Sequence, residues 1–278
     1  MIFWTRNTRL LLSIITLVLG GASFVHGWEP VTALDDGFAV PAPESLAESA
    51  AAFPGAESFI SRPYAVLAWQ VPFEIEELAI TTLHAGAACG KAVVSLTVAT
   101  SGFDLWGEEQ GKLGVSYRFW DGFSAGVRIS RSAIRIEGFG SAACFSTDAG
   151  IVYRPGKDFF VAVSAENITG TTLGDSREPI DGARRLSASW RLADSFTLIG
   201  SVRDTERFER SVTAGFTTTV AGPLTIGAVG GTEPDRFEFL TALSLGTFRF
   251  TYRGGWHPEL GMSHGCSLVW DGYHPTGE

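Results

Sequence analysis

Two short motifs and two groups of ionisable residues are the places where this chain could do chemistry. Gly122-Phe123-Ser124-Ala125-Gly126 matches G-x-S-x-G, the spacing that presents a serine nucleophile. Such an elbow needs a strand before the serine and a helix after it. Here Ser124 follows the turn pair Asp121-Gly122 and precedes Val127-Arg128-Ile129-Ser130, which alternates like a strand, so no catalytic serine is expected. Gly138-Phe139-Gly140-Ser141-Ala142-Ala143 loosely matches a dinucleotide fingerprint but lacks a βαβ setting. His257, Glu259 and His264 sit near one predicted loop. A metal there would need a third or fourth well-placed ligand, and loop polarity accounts for the three residues without one. Enzymatic chemistry, metals and cofactors are therefore not expected.

The arginines carry more. Arg118, Arg128, Arg191, Arg203, Arg249 and Arg253 fall on the polar phase of alternating segments, with Glu166 and Glu238 as candidate partners. They can tie strands together as a paired network, since buried unpaired charge is costly. They can also form a polar constriction, or grip an anionic head group such as a carboxylate with the planar guanidinium fork. Both roles require an enclosed polar interior.

The elements that would build it are strands. Six tight turns punctuate the chain: Cys89-Gly90, Asp121-Gly122, Pro155-Gly156, Asp194-Ser195, Gly222-Pro223 and Gly246-Thr247. Gly, Asp and Pro supply the backbone angles of sharp reversals. Longer connectors alternate with them, the longest over 167–182. Between the turns the period is two: Leu113, Val115, Tyr117 and Phe119 alternate with Gly114, Ser116, Arg118 and Trp120, and Phe248, Phe250 and Tyr252 with Arg249, Thr251 and Arg253. The pattern predicts fourteen strands, over 62–73, 78–88, 91–104, 111–120, 123–136, 142–154, 158–167, 183–193, 196–204, 208–220, 224–231, 236–245, 248–256 and 262–270. Ile129 and Ile134 cannot share a face of one regular strand, which predicts a bulge near Arg131 or an exit from an apolar band.

The N-terminus is different. Arg6 and Arg9 precede an apolar run over Leu10–Leu19, then small residues and Val25-His26-Gly27. This is the pattern of a secretory signal peptide, residues 1–27. Its removal would take the net charge from −9 to −11, because Arg6 and Arg9 go and all 30 acids stay. An acidic chain argues against non-specific nucleic-acid binding. Residues 28–61 are rich in Ala, Pro and acids without alternation. Glu44–Ala52 predicts a short helix ended by Pro54-Gly55, and the segment reads as an N-terminal plug. Cys89, Cys144 and Cys266 form no metal motif and read as small apolar strand residues; one Cys144–Cys266 or Cys89–Cys144 bond stays open for an exported chain.

Beyond residue 27 no apolar run approaches the ~20 residues a membrane helix needs. A membrane crossing would therefore take a closed barrel. Fourteen strands enclose more space than side chains fill, so the small polar face would line the lumen and the apolar face would meet lipid. A soluble all-β protein, with the apolar face inward, stays open on alternation alone.

Four stretches resemble known barrels. Ser263-His264-Gly265-Cys266-Ser267-Leu268-Val269-Trp270 resembles the C-terminal signal read by the barrel-assembly machinery, with Ser263, Gly265, Leu268 and Trp270 at the pattern positions. Residues 271–278 follow it as a tail, whereas the usual barrel ends on the aromatic. Asp148-Ala149-Gly150-Ile151-Val152-Tyr153-Arg154-Pro155 resembles the DxGxxYRP hairpin of the FadL-like outer-membrane superfamily. His257-Pro258-Glu259-Leu260-Gly261, with His264 and Ser267-Leu268, is similar to the last hairpin of its PorV/PorQ-like branch. Asp35-Asp36 followed by Pro41-Ala42-Pro43-Glu44-Ser45-Leu46 is similar in order to the family's segment before the first strand, without its Asn.

The resemblance implies a fourteen-stranded antiparallel transmembrane β-barrel over 62–270, with a short, partly helical plug over 28–61, in the bacterial outer membrane. It implies passive transport of small hydrophobic or amphipathic molecules, or, in the PorV/PorQ-like branch, a non-transporting barrel working with secretion-apparatus proteins. The partners expected are outer-membrane lipid, the barrel-assembly machinery, and either a hydrophobic ligand or secretion proteins.

Overall fold

Each of the six sequence turns lies at a hairpin end in the computed structural model, which describes residues 39–42, 45–174, 178–205, 209–233 and 235–271. The signal peptide, Asp35, Asp36 and the tail beyond Asp271 lie outside the described residues. In chain order the strands are β1 (Tyr64–Val71), β2 (Ile80–Cys89), β3 (Ala92–Phe103), β4 (Trp106–Trp120), β5 (Phe123–Ile136), β6 (Gly140–Tyr153) and β7 (Phe159–Glu166). A two-stranded ladder, β8 (Thr172–Leu173) with β9 (Glu178–Pro179), lies inside the long loop. Then come β10 (Ala183–Ala193), β11 (Phe196–Thr205), β12 (Ser211–Ala221), β13 (Leu224–Thr232), β14 (Arg236–Leu245), β15 (Phe248–His257) and β16 (Gly261–Asp271).

Fourteen of these form a closed antiparallel barrel. Neighbours follow chain order, β7 lies beside β10, and β1 pairs with β16 from Tyr64↔Asp271 to Val71↔His264. Closure gives every barrel strand a partner on both sides, with β6 meeting β7 only over Ala149–Tyr153, and pairing on both sides is the condition for putting a sheet into lipid. With an even strand number, Tyr64 and Asp271 meet at the end that carries the six tight turns, here the turn end. The opposite, loop end carries the 167–182 connector.

The alternation of short and long connectors holds only in part. At the loop end β3 and β4 are joined by Asp104-Leu105 alone, and the connectors 137–139, 233–235 and 258–260 are equally tight. The polar run Glu108-Glu109-Gln110 is strand, not loop, so β4 starts at Trp106 rather than at 111. Its ladder to β3 and β5 satisfies the backbone there, which overrides the weak strand preference of Glu. Of the two expectations for Ile129 and Ile134, the bulge near Arg131 is absent, since β5 runs in unbroken register past it, and the exit from the apolar band holds. Ile129 points outward and Ile134 inward, packed against Leu173, Ile180 and Cys144 where the long loop folds into the barrel mouth. A bulge does occur at the end of β4, between Arg118 and Trp120. Trp120 accordingly stacks on the outward Phe123, centroids 4.5 Å apart.

Burial shows which face is which. Leu113, Val115, Val127, Ile129, Leu198, Phe216, Leu243 and Leu268 are exposed on the outside, while Ser95, Ser116, Ser124, Ser130, Ser187 and Thr251 are buried within. Exposed aromatics gather at both ends: Trp120, Trp190, Phe248 and Trp270 at the turn end, Trp69, Phe237 and Trp256 at the loop end. An apolar band between two aromatic girdles, around a polar interior, is the surface of a barrel solvated by a bilayer. The three cysteines are unbonded, which removes both candidate disulfides; Cys144 faces inward and Cys266 lies on the outward phase.

Candidate functional site: a plug held by two buried carboxylates

Residues 39–42 and 45–61 lie inside the barrel, where the wall side chains are small enough to admit them. Val40 packs on Ile199, Val229, Leu240 and Ala242, and the Pro41 carbonyl accepts a hydrogen bond from Ser189 Oγ at 2.5 Å. A single helical turn, Leu46–Ser49, is followed by the Pro54-Gly55 turn and a 3-10 turn over Ala56–Phe59. The helix predicted over 44–52 is thus shorter, since a segment this brief gains its stability from tertiary contacts rather than from propensity.

Glu57 is fully buried and anchors the plug to β3, β4 and β5. Arg128 donates to its Oε1, Ser116 Oγ to Oε2 at 2.7 Å and Ser95 Oγ to Oε1 at 3.2 Å. The Arg128 guanidinium also donates to the carbonyls of Ala50 and Ala51, so one side chain fastens three points of the plug. Burial pushes the Glu57 carboxyl up; Arg128, with His84 and the hydrogen bonds, outweighs it and holds the group below its ordinary value.

The G-x-S-x-G stretch belongs to this anchor. Ser124 Oγ donates to the Gly55 carbonyl at 2.9 Å, and a Cβ on Gly126 would stand 2.5 Å from the Gly55 nitrogen. Gly150 opposes Pro54 in the same way. Gly55 itself has φ 106°, which a side chain would resist. The motif is a seat for a turn of the plug. In the neighbouring Asp148–Pro155 stretch, Asp148 binds Lys112 at 3.3 Å, Ser130 at 3.2 Å and the Asn167 backbone N–H at 3.0 Å, tying the root of the long loop to the wall.

Glu48 anchors the other side. Arg253 Nη2 and Ser267 Oγ donate to its Oε1 at 2.7 and 2.5 Å, and Arg249 Nε lies 3.8 Å from Oε2. Burial pushes this carboxyl up as well, and Arg253 and then Arg249 more than offset it, so it sits below its ordinary value.

All six arginines singled out in the sequence are on the inward phase of their strands. Arg128 meets Glu57, while Arg249 and Arg253 converge on Glu48. Arg118 and Arg191 sit near the turn end and are not brought to either carboxylate. Arg203 lies towards the loop end of β11. Glu238 pairs with Arg236 at 3.2 Å, and Glu166 borders a cavity of about 240 Å³ beneath the long loop. Glu48 and Glu57 escaped sequence reasoning because they lie in a segment with no period; their one shared signal is the tripeptide Ala-Glu-Ser, at 47–49 and at 56–58. Another missed group is His84, buried between Tyr64 Oη at 2.8 Å and Thr97 Oγ1 at 2.9 Å. His257 and His264 do not converge with Glu259: His257 accepts backbone hydrogen bonds, and His264 faces Tyr252 and Glu74. Of the terminal pattern, Leu268 and Trp270 face outward, while Ser263 and Gly265 lie on the lumen phase.

Two further cavities lie at the two ends of the barrel. One, about 190 Å³, lies at the loop end between the 72–79 connector and β14–β16. The other, about 120 Å³, lies at the turn end between Leu46, Phe59 and Phe160, with Arg154 and Arg249 on its rim.

This is the architecture of a closed β-barrel with a lipid-type outer surface and a segment folded into its lumen. No protein-family model matches the chain, and no curated protein matches its sequence. Solved structures match the fold. A Pseudomonas aeruginosa FadL homologue superposes with TM-score 0.58 at 12% identity, covering 91% of this chain and 100% of that one. The Pseudomonas putida toluene transporter TodX gives 0.58 at 9%, with 93% and 98% covered. The Ralstonia pickettii toluene transporter TbuX gives 0.54 at 7%, with 92% and 96% covered.

Proposed function

We propose that this chain is an outer-membrane barrel through which small hydrophobic or amphipathic molecules cross passively once residues 39–61 shift. The carrying observation is a segment inside the lumen that ion pairs and hydrogen bonds hold to the wall, with no covalent tie among the described residues. Closure by polar contacts keeps small solutes out, and it can be undone by exchanging partners. The toluene transporters of similar fold support a hydrophobic cargo. The lumen arginines support an amphipathic one with an anionic head. Export would remove residues 1–27, and the assembly machinery would read Ser263, Gly265, Leu268 and Trp270 on the closing strand. Plugging by two ionic anchors also favours a second reading, a non-transporting barrel of the PorV/PorQ-like kind that binds secretion-apparatus proteins.

The test is the folded protein in proteoliposomes, after a gel with and without boiling. Heat-shifted mobility together with uptake of toluene or a short fatty acid above that of empty vesicles is expected. A soluble product, or one without the shift, overturns the barrel reading. Absence of uptake, with secretion proteins copurifying from the native membrane, replaces transport by the second reading.

A further inference from the structure

The loop-end cavity is roofed by an unusual piece of backbone. Phe73 and Glu74 both adopt positive φ, 55° and 58°, in the 72–79 connector. Such a non-glycine conformation is strained and persists only where its surroundings hold it. Here the Phe73 N–H donates to Ser263 Oγ at 3.0 Å, its ring meets His257 edge-on at 6.0 Å, and Glu74 reaches His264 at 3.3 Å. The strained pair places an aromatic ring over a floor that contains Arg236, Glu238 and Arg253. The cavity's ~190 Å³ is of the size that accepts one substituted benzene ring, since a ~150 Å³ apolar cavity takes benzene. Arg253 is shared: it lines this cavity and donates to Glu48 of the plug.

We propose that this cavity is a binding site for a small aromatic monocarboxylate, held by Arg236 and Arg253 beneath Phe73, and that its occupancy loosens the Glu48 anchor. This rests on the plug reading above and adds a site and a trigger to it. The two arginines are already ion-paired, with Glu238 and Glu48, so the ligand carboxylate enters by exchange. A carboxylate that takes up part of Arg253's donor fork weakens what remains for Glu48. By linkage, removing the Glu48 charge must strengthen the ligand to the same degree. A neutral hydrocarbon has nothing to exchange and leaves the anchor as it is.

The experiment uses the full folded chain in detergent at neutral pH, with benzoate and toluene as probes in calorimetric titrations. Benzoate is expected to bind more tightly than toluene. Arg236→Gln should weaken benzoate about tenfold or more, the scale of a charge-assisted hydrogen bond, and leave toluene unchanged. Glu48→Gln should tighten benzoate about fivefold or more. In the wild type benzoate should speed amide exchange over 45–53. Heat-shifted mobility verifies each variant's fold, and Phe73→Ala, in a connector outside the barrel wall, gives a second route to the same loss. Equal binding of the two probes, or benzoate binding indifferent to both Arg236→Gln and Phe73→Ala, overturns the site. Benzoate affinity unmoved by Glu48→Gln overturns the coupling. Toluene uptake in vesicles with no benzoate binding leaves the transport reading standing without this site. Benzoate binding without uptake of any probe does the reverse.

Discussion

The two carboxylates that hold the plug look alike in charge and burial, yet they sit in different surroundings. Glu57 is enclosed on all sides: its partner Arg128 is almost completely buried and also grips Ala50 and Ala51, and Gly126 and Gly150 let the plug backbone sink against the wall. Glu48 meets Arg249 and Arg253, whose side chains keep 12% and 13% of their exposure, and it borders the turn-end cavity while Arg253 borders the loop-end one. A charge sealed in protein loses heavily if its partner goes, whereas one beside a cavity can be rescued by water or ligand. The first anchor is therefore a pivot and the second a latch. Motion of the plug should begin at Leu46–Ser49 and leave Pro54–Phe59 in place.

Substitutions that separate the anchors give the sharpest checks. Glu57→Ala should have the largest effect, about 3–5 kcal/mol on the plugged state, because Arg128 is left buried and unpaired. Urea unfolding followed by amide exchange over 45–61 measures it; a loss no larger than that of Glu48→Ala would erase the distinction. Gly126→Ala comes next, about 1–3 kcal/mol, since the new Cβ must displace the Gly55 backbone. It should open the pivot while keeping both charges of the Arg128–Glu57 pair, by displacing Gly55 and Ser116, which hydrogen-bond Glu57, visible as steady conductance in planar bilayers. Glu48→Gln should cost less, about 1 kcal/mol, and raise brief openings rather than a standing current.

The mildest expected effect is that of pH. Both carboxylates have folded values below the ordinary 4.5, so their stabilisation is complete above that value and fades as pH falls below it through the depressed folded values. Protection of the amides over 45–61, taken relative to their intrinsic exchange rate at each pH, should be constant from neutral pH down to about 5 and fall below the ordinary carboxylate value. Loss of protection already between pH 7 and 5 would point to a histidine in place of the carboxylates.

Much of the barrel was legible because a strand's two faces write themselves into the sequence with period two. Leu113–Phe119 and Phe248–Tyr252 gave their outward faces directly, and every turn pair marked a real hairpin end. The reading failed where a residue's partner outweighed its own preference. Glu108–Gln110 read as loop because the type is polar, but two neighbouring ladders make it strand. At Ile134 the pattern left a bulge or an exit from the apolar band open, and the long loop turning back into the mouth decides for the exit by supplying an apolar partner inside.

The candidate site was legible on one side only. The arginines showed themselves through the polar phase of their strands, and their wall positions follow from that. Glu48 and Glu57 did not, because a plug has no repeat to betray it and its contacts span 71 residues in one case and 205 in the other. The sequence by itself determined the strand count, the turns and which residues face the lumen, since these depend on local alternation and turn chemistry. Only the tertiary structure decided that Arg128 belongs to Glu57, that Arg253 belongs to Glu48, and that Ser124 and Gly126 seat a turn instead of arming a nucleophile. Closing the sheet brings distant segments within hydrogen-bond range, and no pattern of neighbours along the chain records that distance.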